Sequence, residues 1–233
     1  MKTKLNIRLD RWVGQHSPLS RSDVKFAVKA KRIKVNGKLA VSASQKISQE
    51  DVVSLDGAEI VVRGFSYIML NKPLGVICAT RDGCHQTVVD LLPTHFQQLH
   101  PVGRLDKDTT GLVLLSDDGQ WSHRVTHPKY ACEKCYKVTA KWPISAATIE
   151  RLLHGVVLRD SPKPACATAV EQLGENQLMM TISEGRYHQV RRMIAACENR
   201  VTDLHRLSVG SLQLDIAEGE WRELTVAEIV ALA

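Results

Sequence analysis

The net positive charge of this chain comes entirely from its first 38 residues, and that asymmetry divides the molecule before any fold is considered. Residues 1–38 hold eleven Lys and Arg against Asp10 and Asp23, an excess of +9. The rest holds twenty basic against twenty-three acidic residues, a balance of −3, so the net +6 belongs to the N-terminus. Concentrated basic charge points to a phosphate-rich partner or an anionic membrane surface, with a solvated basic tail as the bland alternative. The segment is patterned as well as charged. Ser20 followed by Asp23 is a helix start of the capping-box kind, predicting a helix from about Arg21 to Ala30. At roughly 100° per residue, Arg21, Lys25, Lys29 and Arg32 form one basic stripe if the helix runs that far. Val24, Ala27 and Val28 lie beside the stripe and can pack on an earlier helix around Leu9, Trp12 and Val13. Asn36–Gly37 and Asp56–Gly57, each between short apolar runs, predict two hairpins. The unit is expected to end near Arg63 or Gly64, giving a domain over residues 1–63 and a second over 64–233.

The stretch LDRWVGQHSPLSRSDVKFAVKAKRIKVNGK resembles the S-four-type RNA-binding domain, named for a ribosomal protein and shared by several RNA-modifying enzymes. The resemblance implies a helix pair and adjacent strand presented to structured RNA, with Arg21, Lys25, Lys29 and Arg32 as RNA-binding candidates.

From Tyr67 to Leu224 the periodicity alternates between types. Strands are predicted at Tyr67–Leu70, Val76–Ala79, Leu112–Leu115, Tyr136–Ala140, Gln177–Ser183 and Leu207–Leu214. Helices are predicted at about Val88–Leu92, Gly119–Val125, Ala146–His154 and Tyr187–Ala196, with the acidic pair Asp117 and Asp118 opening the second of these. Long runs of irregular order make this an α+β chain rather than a regular βαβ series. No run of eighteen apolar residues exists and the N-terminus lacks a signal-peptide core, so a cytoplasmic protein with no membrane partner is expected. Its six cysteines then read as thiols.

The chemistry concentrates in His100–Gly119, HPVGRLDKDTTGLVLLSDDG. A glycine-bearing loop beside an apolar strand can hold Asp106 at a sheet end, where a rigid scaffold positions functional groups. On composition alone Asp106 and Asp108 are equally solvated loop residues or part of a calcium site, although the late Glu of a calcium loop is absent. Cys132 and Cys135 form one CxxC with His123 and His127 nearby, but zinc fingers need a second pair, so no metal is expected.

GRLDKDTTGL resembles the signature of the pseudouridine synthases, in which the Asp of R-L-D is the essential carboxylate. FSYIMLNKPLGVICAT, EKCYKV and SEGRYHQVRRM extend the resemblance in order along the chain, and DDGQWSHR with GRYHQVRRM is most similar to the RsuA branch, which acts on 16S ribosomal RNA. The resemblance implies a catalytic domain on a mixed, mainly antiparallel sheet with flanking helices. It implies that Asp106 is catalytic, with Tyr136 against the target base and Arg191 as a cation beside Asp106. Val190 would be an apolar wall, and Arg104 would fill the stack vacated by the target nucleotide. The reaction needs no cofactor. The implied partner is small-subunit ribosomal RNA or an assembling small-subunit particle, and a monomer is the default. A large-subunit target and a non-catalytic assembly factor are the competing readings, the latter disfavoured by the presence of both Asp106 and Arg191.

Overall fold

The computed structural model describes residues 7–48, 50–61, 64–159 and 163–232. The chain separates into two compact units, Met1–Gly64 and Phe65–Ala233, each with a core of its own. The first contains β1 (Ile7–Arg8), α1 (Leu9–His16), α2 (Arg21–Lys29), β2 (Ile33–Val35), β3 (Lys38–Leu39), β4 (Lys46–Ile47), β5 (Val53–Leu55) and β6 (Ala58–Glu59). Ser20 and Asp23 close a reciprocal capping box at the start of α2, satisfying two backbone donors that the helix leaves open. Leu9, Trp12 and Val13 of α1 meet Val24 and Ala27 of α2 and the inward residues Ile33, Val35, Ile47 and Val53. Asn36 and Gly37 both take positive φ between β2 and β3, as do Asp56 and Gly57 between β5 and β6, the geometry of tight hairpin turns.

The four-residue basic stripe is shortened. Helix α2 stops at Lys29, and Lys31 turns the chain with φ of 59°, so Arg32 leaves the helix. Its guanidinium instead forks onto Asp56, Nε to Oδ1 at 2.8 Å and Nη2 to Oδ2 at 2.5 Å. Arg21, Lys25 and Lys29 remain as the exposed ridge.

The second unit contains β7 (Tyr67–Lys72), β8 (His100–Val102), β9 (Thr110–Ser116), α3 (Gly119–Thr126), β10 (Lys134–Ala140), α4 (Ala146–His154), β11 (Ala169–Gly174), β12 (Gln177–Ile182), α5 (Gln189–Ala196), β13 (Val201–Val209), β14 (Leu212–Gln213), β15 (Trp221–Glu223) and α6 (Val226–Ala231). Among the described residues these strands form one sheet in the order β11-β12-β10-β13-β9-β7-β15, with β14 on β13 and β8 on β9. All pairs are antiparallel except β9 with β13. Strand β9 shows why its sequence is a continuous apolar run. Val113 and Leu115 enter the larger core with Leu152 of α4 and Met193 and Ile194 of α5, while Leu112 and Leu114 enter a smaller core with Trp121 and Val125 of α3. Asp118 caps α3, accepting from Gln120 N and Trp121 N, and its other oxygen accepts from the Tyr67 hydroxyl.

Three expected elements differ. Val76–Ala79 forms only an isolated bridge, Ile77 with Thr87. Val88–Leu92 is a run of turns: Asp90 folds back onto Thr87 N and its hydroxyl, and Pro93 prevents a helix from continuing. The strand expected at Leu207–Leu214 is the long β13 followed, across Gly210 at φ 55°, by the returning β14. No helix among the described residues is long and apolar enough to cross a membrane.

Candidate active site

Asp106 sits in the loop joining β8 to β9, and two features fix that loop. The first is the parallel junction, where Thr110 faces His205 and Gly111 faces Arg206. Gly111 has φ of 101°, and a Cβ there would meet the Arg206 backbone nitrogen at 2.6 Å and its carbonyl oxygen closer still. Only glycine lets the strands approach this closely. The second is a brace from residues 72–78. Lys72 is fully buried, and its ammonium donates to the carbonyls of Val76 at 2.7 Å, Pro73 at 3.0 Å and Lys107 at 3.5 Å. Burial pushes its pKa down, and the nearby Cys78, Asp108 and Asp106 oppose that shift. Gly75 N also donates to Lys107 O at 3.0 Å, and Leu105 N donates to Cys78 Sγ at 3.2 Å.

Above the loop is a cavity of about 290 Å³ whose walls include Arg104, Asp106, Tyr136, Val190 and Arg191. All five candidates from the second unit therefore converge. Tyr136 is buried on β10, next to a register shift between Cys135 and Tyr136 that re-aims the strand's side chains. Val190 is buried in the first turn of α5. Arg104 is exposed, and its side chain has no hydrogen bond or ion pair among the described residues. The group against Asp106 is His188, whose Nε2 lies 3.2 Å from Oδ1. His188 is the left-handed N-cap of α5 and stacks on exposed Tyr187, with ring centroids 3.9 Å apart and planes 16° from parallel.

Arg191 was expected to pair with Asp106, but in the structure its ion pair is with Asp108, Nη2 to Oδ2 at 3.1 Å. The same nitrogen donates to Asp108 O at 2.8 Å and Thr109 Oγ1 at 3.3 Å. Three oxygens converge at this end of the loop, and they hold the guanidinium there while His188, three residues earlier, meets Asp106. Arg191 Nε is buried with no acceptor, an open donor in the wall of the site. Arg206 is a second buried cation lining the cavity, tied by Nε to Leu112 O at 2.7 Å. His188, Tyr187 and Arg206 were not singled out from the sequence. His188 and Tyr187 stood in plain view within SEGRYHQVRRM, whereas Arg206 carried no motif signal. Among the described residues, no three His, Cys, Asp or Glu side chains cluster as a metal would require. Burial pushes the Cys132 thiol up, which keeps it protonated.

Residues 66–196 match the model of the RNA pseudouridylate synthase family. The chain is 42% identical to the ribosomal small subunit pseudouridine synthase A of Haemophilus influenzae, covering 97% of this chain and 99% of that one. It is 43% identical to the protein of the same name from Escherichia coli K12, over 97% and 100% of the two chains. A crystal structure described as a pseudouridylate synthase superposes with a TM-score of 0.72 at 42% identity, covering 97% of this chain and all of that one. The family match, the identity over nearly the full length of these relatives and the superposition together show that this chain belongs to the RNA pseudouridylate synthases of the RsuA type.

Proposed function

We propose that this protein isomerises a specific uridine of small-subunit (16S) ribosomal RNA to pseudouridine, with Asp106 as the acting carboxylate. The reaction breaks the bond from the sugar's anomeric carbon to N1, turns the uracil, and forms a bond from the same carbon to C5. The C5 proton leaves and N1 gains one, so nothing is oxidised or reduced and no cofactor is required. Attack by the carboxylate on the anomeric carbon and removal of a sugar proton by the carboxylate are the two routes to a detached base. Both need an ionised Asp106 within reach of the sugar. The observation that carries the reading is the convergence of Asp106 with Tyr136, Val190 and Arg191 around one cavity of about 290 Å³.

Tyr136 gives the free base a flat wall, and Val190 an apolar one that excludes water. Arg191 and Arg206 supply fixed positive potential for charge that develops on the base and the carboxylate. Extruding the nucleotide costs roughly a few kcal/mol of stacking. Arg104, which has no side-chain partner among the described residues, offers a planar guanidinium to the gap left behind. Residues 1–63 act as the S-four-type RNA-binding domain through Arg21, Lys25 and Lys29, and residues 64–233 as the catalytic domain. The protein works as a cytoplasmic monomer on 16S RNA, free or in an assembling particle.

Asp106→Asn keeps the side chain's shape and removes its charge and nucleophile. Purified variant given unmodified 16S RNA is expected to form pseudouridine at background level, with RNA affinity little changed. Turnover near the wild-type rate would overturn the assignment. Mapping pseudouridines in 16S RNA from cells with and without the gene then identifies the uridine.

A further inference from the structure

Beside the cavity runs an open groove lined by Asp108, Lys141, Arg191, Asn199, Arg200 and Thr202, with Ala195 and Val201 as its apolar walls. Two loops meet there, the one leaving β10 and the one joining α5 to β13. Asn199 fastens them: its side-chain oxygen accepts from Trp142 N at 3.2 Å, and its amide donates to Trp142 O at 2.9 Å. Lys141 N donates to Arg200 O at 2.8 Å, so the backbones carrying these two cations are joined directly.

The charges in the groove are of two kinds. Arg191 is already paired with the exposed Asp108. Lys141 and Arg200 are exposed, and among the described residues neither has an ion-pair partner. The Lys141 ammonium lies 4.7 Å from the centroid of the half-exposed Trp142 ring, which holds it without neutralising it. Two unneutralised cations carried on directly joined backbones suit the repeating phosphates of a polynucleotide, to which basic side chains supply much of the contact. Arg191 lines both the groove and the cavity of Asp106. A polynucleotide with one nucleotide in that cavity must continue outward on both sides, and a strand leaving past Arg191 enters this groove.

We propose that the groove binds the RNA strand immediately flanking the target nucleotide, with Lys141 and Arg200 each on a backbone phosphate. This rests on the reading of the Asp106 cavity as the uridine site. The contacts are to phosphates, so they hold the strand in register without reading its bases.

The test uses the full-length protein and unmodified 16S RNA transcript, comparing wild type with the double variant Lys141→Gln/Arg200→Gln. Single-strand contacts contribute a slope of roughly −0.7 each in log affinity against log salt, so two lost contacts should flatten it by about 1.4. Affinity at low salt should fall at least tenfold. Lys141→Arg, which keeps the charge, should leave the slope as in wild type. Both side chains are exposed and, among the described residues, neither is in an ion pair, so the melting temperature should change little, and a matched melt confirms that any loss is of contacts rather than of fold. An unchanged slope and affinity in the double variant, with wild type forming pseudouridine in the same samples, overturns the groove alone. Wild type forming none in 16S RNA overturns the functional reading, whatever the slopes show.

Discussion

Arg191 illustrates how much of the site depends on where a single fork of donors points. Its Nη2 is committed to the loop end at Asp108 and Thr109, while its buried Nε has no acceptor. A buried donor left open costs about 1–3 kcal/mol, a penalty that an anionic substrate group or a shifted Asp106 carboxylate would relieve. Single-turnover rates with saturating RNA should therefore fall about a hundredfold or more in Arg191→Met, in line with removal of one fixed stabilising donor. Arg191→Lys keeps the charge but loses the planar fork, and should retain part of the rate. Equal rates for the two variants would show that charge at this position is irrelevant to the chemistry. That Asp106, Arg104, Tyr136, Val190 and Arg191 line one cavity could be anticipated through the family resemblance of the strings that carry them. Asp108 as the partner of Arg191 could not, because the choice between two carboxylates on one loop depends on the angle at which α5 meets it. Arg206 was invisible for a related reason: it reaches the cavity through long-range pairing of β13, opposite Gly111 of β9 and Tyr136 of β10.

At the scale of elements, the last helix tests whether a cap is also a pH-dependent clasp. Thr225 and Glu228 form a capping box on α6, and Arg222 of β15 forks to both Glu228 and Asp215. The Arg222 guanidinium, with help from Thr225, holds the Glu228 carboxyl down at about 2. A carboxyl depressed in the folded state contributes stability that is present above its unfolded value of about 4.3 and is lost as pH falls toward 2. Glu228→Gln should cost about 1 kcal/mol at pH 7, the usual value of a cap with a partly screened ion pair. Urea melts at pH 7 and near pH 2.5 should show the gap between variant and wild type closing at the lower pH. A gap that stays constant would mean that the cap acts through shape alone. The same kind of local chemistry made α2, α3 and both hairpins readable, since Ser20, Asp118, Asn36–Gly37 and Asp56–Gly57 each satisfy or turn the backbone within a few residues. It misled at Val88–Leu92, where helical spacing of apolar residues was overridden by the Thr87–Asp90 turn and by Pro93. Strand β11 went unseen because it is exposed along almost its whole length and carries no alternation, and β15 because it is only three residues long and pairs with the distant β7.

At the scale of the molecule, the division near Gly64 assigns basic charge to one unit and chemistry to the other, so recognition and catalysis should be separable by mutation. Ridge residues Arg21, Lys25 and Lys29 are exposed on α2, and among the described residues none has an ion-pair partner. Arg32 is different, since Asp56 already takes its Nε and Nη2 donors. Changing the three ridge residues to Gln should flatten the salt dependence of 16S RNA binding by about 2 to 3 in log–log slope, at roughly 0.7–0.9 per lost phosphate contact. The saturated single-turnover rate should survive, because Asp106 and its cavity belong wholly to the second unit. Arg32→Gln serves as the internal contrast: it should leave the slope in place and lower the stability of the first unit only slightly, since the Arg32–Asp56 pair is exposed to solvent. Salt titration of binding, single-turnover assay at saturation and a thermal melt decide between the alternatives. An unchanged slope in the triple variant would reduce the ridge to a solvated face. A collapse of its saturated rate would mean that the basic unit helps to shape the reacting complex as well as to capture RNA. A slope that falls in Arg32→Gln would show that RNA competes with Asp56 for this arginine, which would then count with the ridge as part of the binding surface.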